Sequence, residues 1–187
     1  MKATQILTEE HRVIERVLTA LEVAATRVSQ GEEVRPAFFI NSALFIKNFA
    51  DGCHHKKEEG ALFTAMKAAG LSTESGPLFF MLADHEKGRL FTKEMRAAAE
   101  KWEAGDQSAR GAVVQNALGY VALLRQHISK EDGILFPMAD RIIPPEQQEQ
   151  VAATFERIEQ EEIGEGVHEK YLALAEVLEK ESTKRIS

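Results

Sequence analysis

Two stretches of the chain pair an imidazole with a carboxylate one helical turn away. His54 and Glu58 lie in CHHKKEEGALF (residues 53–63), and His127 and Glu131 lie in QHISKEDGILF (residues 126–136). The stretches align without a gap, matching Gly60 to Gly133, Leu62 to Leu135 and Phe63 to Phe136. Positions i and i+4 share a helix face, so each stretch can present one nitrogen and one carboxylate oxygen to the same ion. Two more histidines sit upstream at a matching interval, His11 in EEHRVIERVL and His85 in ADHEKGRLF. His85 follows His11 by 74 positions, and His127 follows His54 by 73. The unit is therefore a helix with one His followed by a helix with His-x-x-x-Glu, used twice. Two such hairpins about a pseudo-two-fold axis would converge His11, His54, Glu58, His85, His127 and Glu131 on one interior.

Imidazole and carboxylate donors without thiolate exclude an iron–sulfur cluster and argue against a Cys-rich structural zinc site. Six side chains exceed what one tetrahedral zinc takes. They suit two five- or six-coordinate ions, each Glu bridging the pair and each ion taking two His. The positions left over would hold an oxo or hydroxo bridge and an exogenous ligand. Imidazole-rich ligation favours iron. A single His, or an isolated i,i+4 His–Glu pair, is ordinarily a surface feature. Here the pairs recur in aligned contexts flanked by Phe49, Leu62, Phe63, Leu123, Leu124 and Phe136, which marks an inward face. Burying four His and two Glu there without a metal would carry a large desolvation cost.

The elements that must position these groups are helices. Periodicity and punctuation give segments at about 4–29, 36–70, 77–104, 106–143 and 145–181, the last interrupted by Gly164 and Gly166. No segment alternates with the period of a strand. The expected class is all-α: an up-down-up-down four-helix bundle over residues 1–143, with an additional C-terminal helix over 144–187 packed on the same domain. With 23 basic and 30 acidic residues the net charge is −7, which disfavours nucleic acid or an anionic membrane as partner. The N-terminus, MKATQILTEEHRVIERV, does not read as a signal peptide, and no stretch is apolar enough to span a membrane. The single cysteine, Cys53, excludes an internal disulfide and fits a reducing compartment. The expected location is the cytoplasm.

Two histidines remain. His55 adjoins His54 but projects about 100° round an undistorted helix, which makes it a rim residue or an outer neighbour of the ligands. His168 shares a face with Glu161, Gly164 and Glu165. If the glycines let helix 5 press on the bundle, His168 would supply a fifth nitrogen; otherwise helix 5 is a lid or partner surface and His168 is solvated. Cys53 should point away from the ions and take no redox role.

The pattern of a single His followed by His-x-x-x-Glu, twice over, resembles that of hemerythrin-like (HHE cation-binding) proteins. The resemblance covers residues of about 5 to 140, with six positions agreeing in order and spacing. It implies a non-haem di-iron centre at His11, His54, Glu58, His85, His127 and Glu131. Oxygen-carrying hemerythrins add a second His one turn after the third-helix His, where this chain has Arg89. The last carboxylate also follows its His by four positions rather than five. The ligand set is closer to that of the family's iron–sulfur repair proteins. Arg89 is expected to pair with Glu58 or Asp84, or to lie near the exogenous-ligand position. The expected function is a di-iron protein that binds or reacts with O2, NO or peroxide in sensing, storage, detoxification or iron-centre repair. The rival readings are a peroxidase or NO-reductase-type enzyme at the same centre, or a non-redox metal-binding interaction module. The first rival needs an electron donor, for which the chain carries no flavin, haem or rubredoxin-type motif.

Overall fold

Apolar residues recurring every three or four positions fold the chain into helices, with no strand among the described residues of this computed structural model. Those residues are 2–163 and 166–184, without the side chains of 161–163, 167 and 168. Helix α1 runs Ala3–Ser29, α2 covers residues 36–68, α3 runs Gly76–Glu103 and α4 covers residues 110–142. Proline in the first turn of α2 and α3 costs no hydrogen bond, because that N–H has no helical partner. Gly31, Gly70 and Gly105, all at positive φ, follow α1, α2 and α3 and reverse the chain. The C-terminal segment is two helices rather than one, α5 at Pro145–Arg157 and α6 at Val167–Ser182. Gly166 separates them in the left-handed conformation, φ 76°, which a glycine adopts at no steric cost.

Neither α2 nor α4 is a regular α-helix. Both repeated motifs, Glu58–Leu62 and Glu131–Leu135, form π-helical turns, and a longer one occupies Ile46–His55. Such i→i+5 turns widen the helix and re-aim its side chains. At Gly52 the backbone closes on itself: a Cβ there would lie 3.0 Å from the Lys47 carbonyl oxygen, five residues earlier. Between α3 and α4, Gly119 admits the Phe91 ring to where its own Cβ would stand, 2.6 Å away.

The apolar core has two parts. One gathers Ile14, Leu18, Phe38, Phe45, Met95 and Leu124 with Tyr171, Ala175 and Leu178 of α6. The other gathers Leu7, Leu62, Phe63, Met81, Leu135 and Phe136 with Val151 and Phe155 of α5. The C-terminal helices thus contribute to both clusters. Each fully buried Leu or Phe contributes about 1.5–3 kcal/mol. On every bundle helix a polar interval separates the clusters, as where His11 stands between Leu7 and Ile14. No described helix is long and apolar enough to cross a membrane.

Candidate metal centre

The polar interval is one layer. His11, Glu58 and Glu131 are 0 % exposed, and His54, His85 and His127 are 1 % exposed. Glu58 directs one oxygen to each half of the bundle: Oε1 lies 3.5 Å from His54 Nε2, and Oε2 lies 3.4 Å from His85 Nε2. Glu131 Oε2 stands between the halves, 3.3 Å from His11 Nε2 and 3.2 Å from His127 Nε2. Donor atoms of His11, His54, Glu58 and Glu131 all lie within 4.8 Å of one another. The structure therefore brings together all six side chains singled out by the repeat.

It adds a seventh. Donor atoms of His55, Glu58, His85 and His127 form a second such group, so His55 is no rim residue. It is 4 % exposed and its ring stacks on His85 with centroids 3.8 Å apart. The expected 100° step assumed a regular helix, and His55 closes the widened π-helical stretch instead. In the repeat its counterpart is Ile128, so the two halves differ by one imidazole. The backbone at residue 168 lies in α6, but the His168 side chain falls outside the described residues.

Three of the four imidazoles of the repeat have their outer nitrogen on a carboxylate. His11 Nδ1 lies 2.8 Å from Asp132, His54 Nδ1 2.9 Å from Glu10, and His85 Nδ1 2.7 Å from Glu59. His127 Nδ1 lies 3.6 Å from Asp84. A cation backs every one of these carboxylates: Arg12 on Asp132, Lys57 on Glu10, Arg89 on Glu59 and Lys130 on Asp84. Such outer partners fix the tautomer and ring orientation that a metal requires. Sequence reasoning named only Arg89 and Asp84 among these eight groups, although the repeat records the four carboxylates and the two lysines. The dipeptides Glu10-His11 and Asp84-His85, and Glu58-Glu59 and Glu131-Asp132, occupy equivalent places, as do Lys57 and Lys130. Lys57 is fully buried and also reaches Glu159, just beyond α5. Arg89 binds Asp51, Glu59 and Glu86, not the expected Glu58 or Asp84.

The buried carboxylates draw positive charge into the layer. Burial opposes ionisation of Glu58, yet the adjoining His54 and His85 outweigh it and hold its carboxyl well below the usual range. Burial likewise works against a proton on His54, but Glu58 and Glu10 overcome it and raise this imidazole to about 10. His127 rises to about 9 against burial because of Glu131 and Asp84. His55 goes the other way, driven well below its ordinary value by burial and by the neighbouring His85. Both oxygens of Glu58 and of Glu131, with Nε2 of His11 and His54, have no hydrogen-bond partner among the described residues. An orphaned buried polar atom costs about 1–3 kcal/mol, and a buried charge more. Nitrogen and oxygen donors converging without thiolate fit one or two transition-metal ions of borderline hardness. Cys53, on the outer side beside Glu10 and Glu159, is pushed up to about 12, chiefly by burial, which makes it a poor nucleophile and a poor ligand.

Residues 2–139 match the family described as Hemerythrin HHE cation binding domain. Among curated proteins the chain is similar to uncharacterized proteins of Mycobacterium bovis and Mycobacterium tuberculosis, 29 % identical over 164 residues. The matched region is 87 % of this chain and 63 % of the relatives' length, so the chain spans under two thirds of the proteins it matches. No solved structure matches the chain.

Proposed function

The chain belongs to the hemerythrin HHE cation-binding family, and from that premise we propose that its buried layer holds two iron ions and handles O2, NO or peroxide. His11 and His54 would hold one ion and His55, His85 and His127 the other, with Glu58 and Glu131 shared between them. The observation that carries this reading is the pair of buried carboxylates lying between two sets of Nε2 atoms, with all four oxygens lacking hydrogen-bond partners among the described residues. Two adjacent irons, when bound, supply a pair of electrons to a small oxidant. The chain's own residues set the conditions. The four outer carboxylates orient the imidazoles and raise their basicity. The two apolar clusters shield the layer from bulk water above and below it along the bundle and lower the local dielectric there.

The five-imidazole set does not restore the oxygen-carrier pattern. The extra imidazole comes from α2, and the place it would occupy on α3 is filled by Arg89, held in three ion pairs. Diferrous protein should therefore oxidise in air without a long-lived oxy form that releases O2 under vacuum. The deciding experiment measures metal content of protein from iron-replete cells, with visible spectra before and after reduction and re-exposure to air. About two irons per chain with a redox-dependent spectrum supports the proposal. Tightly bound zinc despite iron-rich growth refutes it in favour of the non-redox binding module, and a reversible oxy form refutes the loss of oxygen carriage.

A further inference from the structure

A cavity of about 470 Å³ lies between α2 and α3, with Tyr120 of α4 on its wall. It is lined at helical intervals, by Ala43, Ile46, Asp51 and His55 from α2 and by His85, Gly88, Thr92 and Ala97 from α3. Small residues at Ala43, Gly88 and Ala97 keep two packed helices from filling the space between them. The inner end is formed by His55 and His85, so the cavity reaches the metal-centre layer. A water molecule's share of liquid volume is about 30 Å³, so the cavity has room for roughly fifteen. A diatomic gas or a peroxide needs a small fraction of that. The volume falls instead within the range of sites that enclose small organic molecules.

The lining also specifies charge. Lys47, Arg89, Lys93 and Arg96 contribute four cations, against Asp51 and Glu100. Arg89 is bound to Asp51 and Arg96 to Glu100. That leaves Lys47 and Lys93, both exposed, with no carboxylate partner among the described residues. This positive excess stands on a chain whose net charge is −7. Further in, Tyr120 is 1 % exposed and its hydroxyl has no hydrogen-bond partner among the described residues.

We propose that the α2–α3 cavity binds an organic anion with an apolar body, its acid group held by Lys47 and Lys93 and its far end directed toward His55 and His85. The assignment does not depend on which metal fills the centre, because the recognising groups are the cavity walls and two lysines. Gas access alone would require neither the lysine pair nor the volume. A neutral organic ligand would leave the lysines without a role.

Calorimetric titration of the purified protein with octanoate, and separately with octanamide, tests this. Octanoate should bind once per chain below about 1 mM, and octanamide at least tenfold more weakly. The Lys47→Glu/Lys93→Glu double variant should weaken octanoate at least tenfold, and Ala97→Trp should abolish binding by filling the mouth. All three substitutions are at exposed positions, so helix content by circular dichroism should match the parent protein. No saturable octanoate binding, or octanoate affinity within twofold of the parent in Ala97→Trp, would overturn the proposal. Equal binding of octanamide would overturn the anion assignment. Repeating the titration on metal-stripped protein separates the two readings: retained binding supports the cavity even if the iron assignment fails.

Discussion

Replacing His55 with Phe isolates what the second half of the centre owes to its extra imidazole. Phenylalanine keeps an aromatic ring in the place that stacks on His85 at 3.8 Å, and the site is 4 % exposed, so packing is largely preserved. What disappears is one nitrogen of the four-donor group His55, Glu58, His85 and His127. The other group, His11, His54, Glu58 and Glu131, loses nothing. Removing even an outer partner of a metal ligand typically costs 10–100-fold in affinity, so loss of a donor should cost at least about 1.4–2.7 kcal/mol for one ion only. His55 is held neutral by burial and His85, so no proton has to leave it and none of the loss is offset by its removal. Competition against a chromophoric chelator, followed by metal counting after dialysis, should show retention falling from about two ions to about one, with unchanged thermal stability of the metal-free protein. His11→Phe should weaken the other ion. Two ions retained by His55→Phe, both within threefold of their parent constants, would refute the reasoning and return His55 to a packing role.

Metal uptake at pH 7 should release protons, because the carboxylates hold His54 up to about 10 and His127 to about 9 and the metal must displace those protons. Apparent affinity should therefore rise with pH from 7 toward 9, and calorimetry in buffers of different ionisation enthalpy should count the protons. A pH-independent affinity would contradict this. Phe155→Ala should destabilise the protein by about 3–5 kcal/mol in guanidinium unfolding, since this 1 %-exposed ring packs α5 into the cluster of Leu7, Leu62 and Phe136, beside Lys57. A loss under about 1 kcal/mol would mean that α5 is not docked. Cys53 should resist thiol reagents at pH 8 in the native protein and react fully once unfolded, because burial pushes it up to about 12. The native state keeps a proton that the unfolded chain releases from its ordinary 9.0, so this group makes stability fall as pH rises from about 9 to 12. Rapid native labelling at pH 8 would show the site to be open.

What the sequence determined by itself is the helical class, the repeat and the six side chains that the repeat singles out. Those are properties of spacing: an i,i+4 pair shares a face on any near-regular helix, and a duplicated hairpin carries its pattern twice. The outer carboxylates and two of their cations were equally written into the repeat, as Glu10-His11 against Asp84-His85 and Lys57 against Lys130, but their meaning depends on which helices become neighbours. Glu10 adjoins His11 in the chain and orients His54 in space, 44 residues away. Tertiary structure alone decided the role of His55. Its direction follows from the π-helical stretch Ile46–His55, and nothing in residue spacing separates such a stretch from an ordinary helix. The same holds for the cavity beside Tyr120, whereas the break at Gly166 was legible as a glycine interrupting the last helix. Local spacing dictates which residues share a helix face, whereas backbone distortion and helix pairing, set by packing between distant segments, dictate what that face meets.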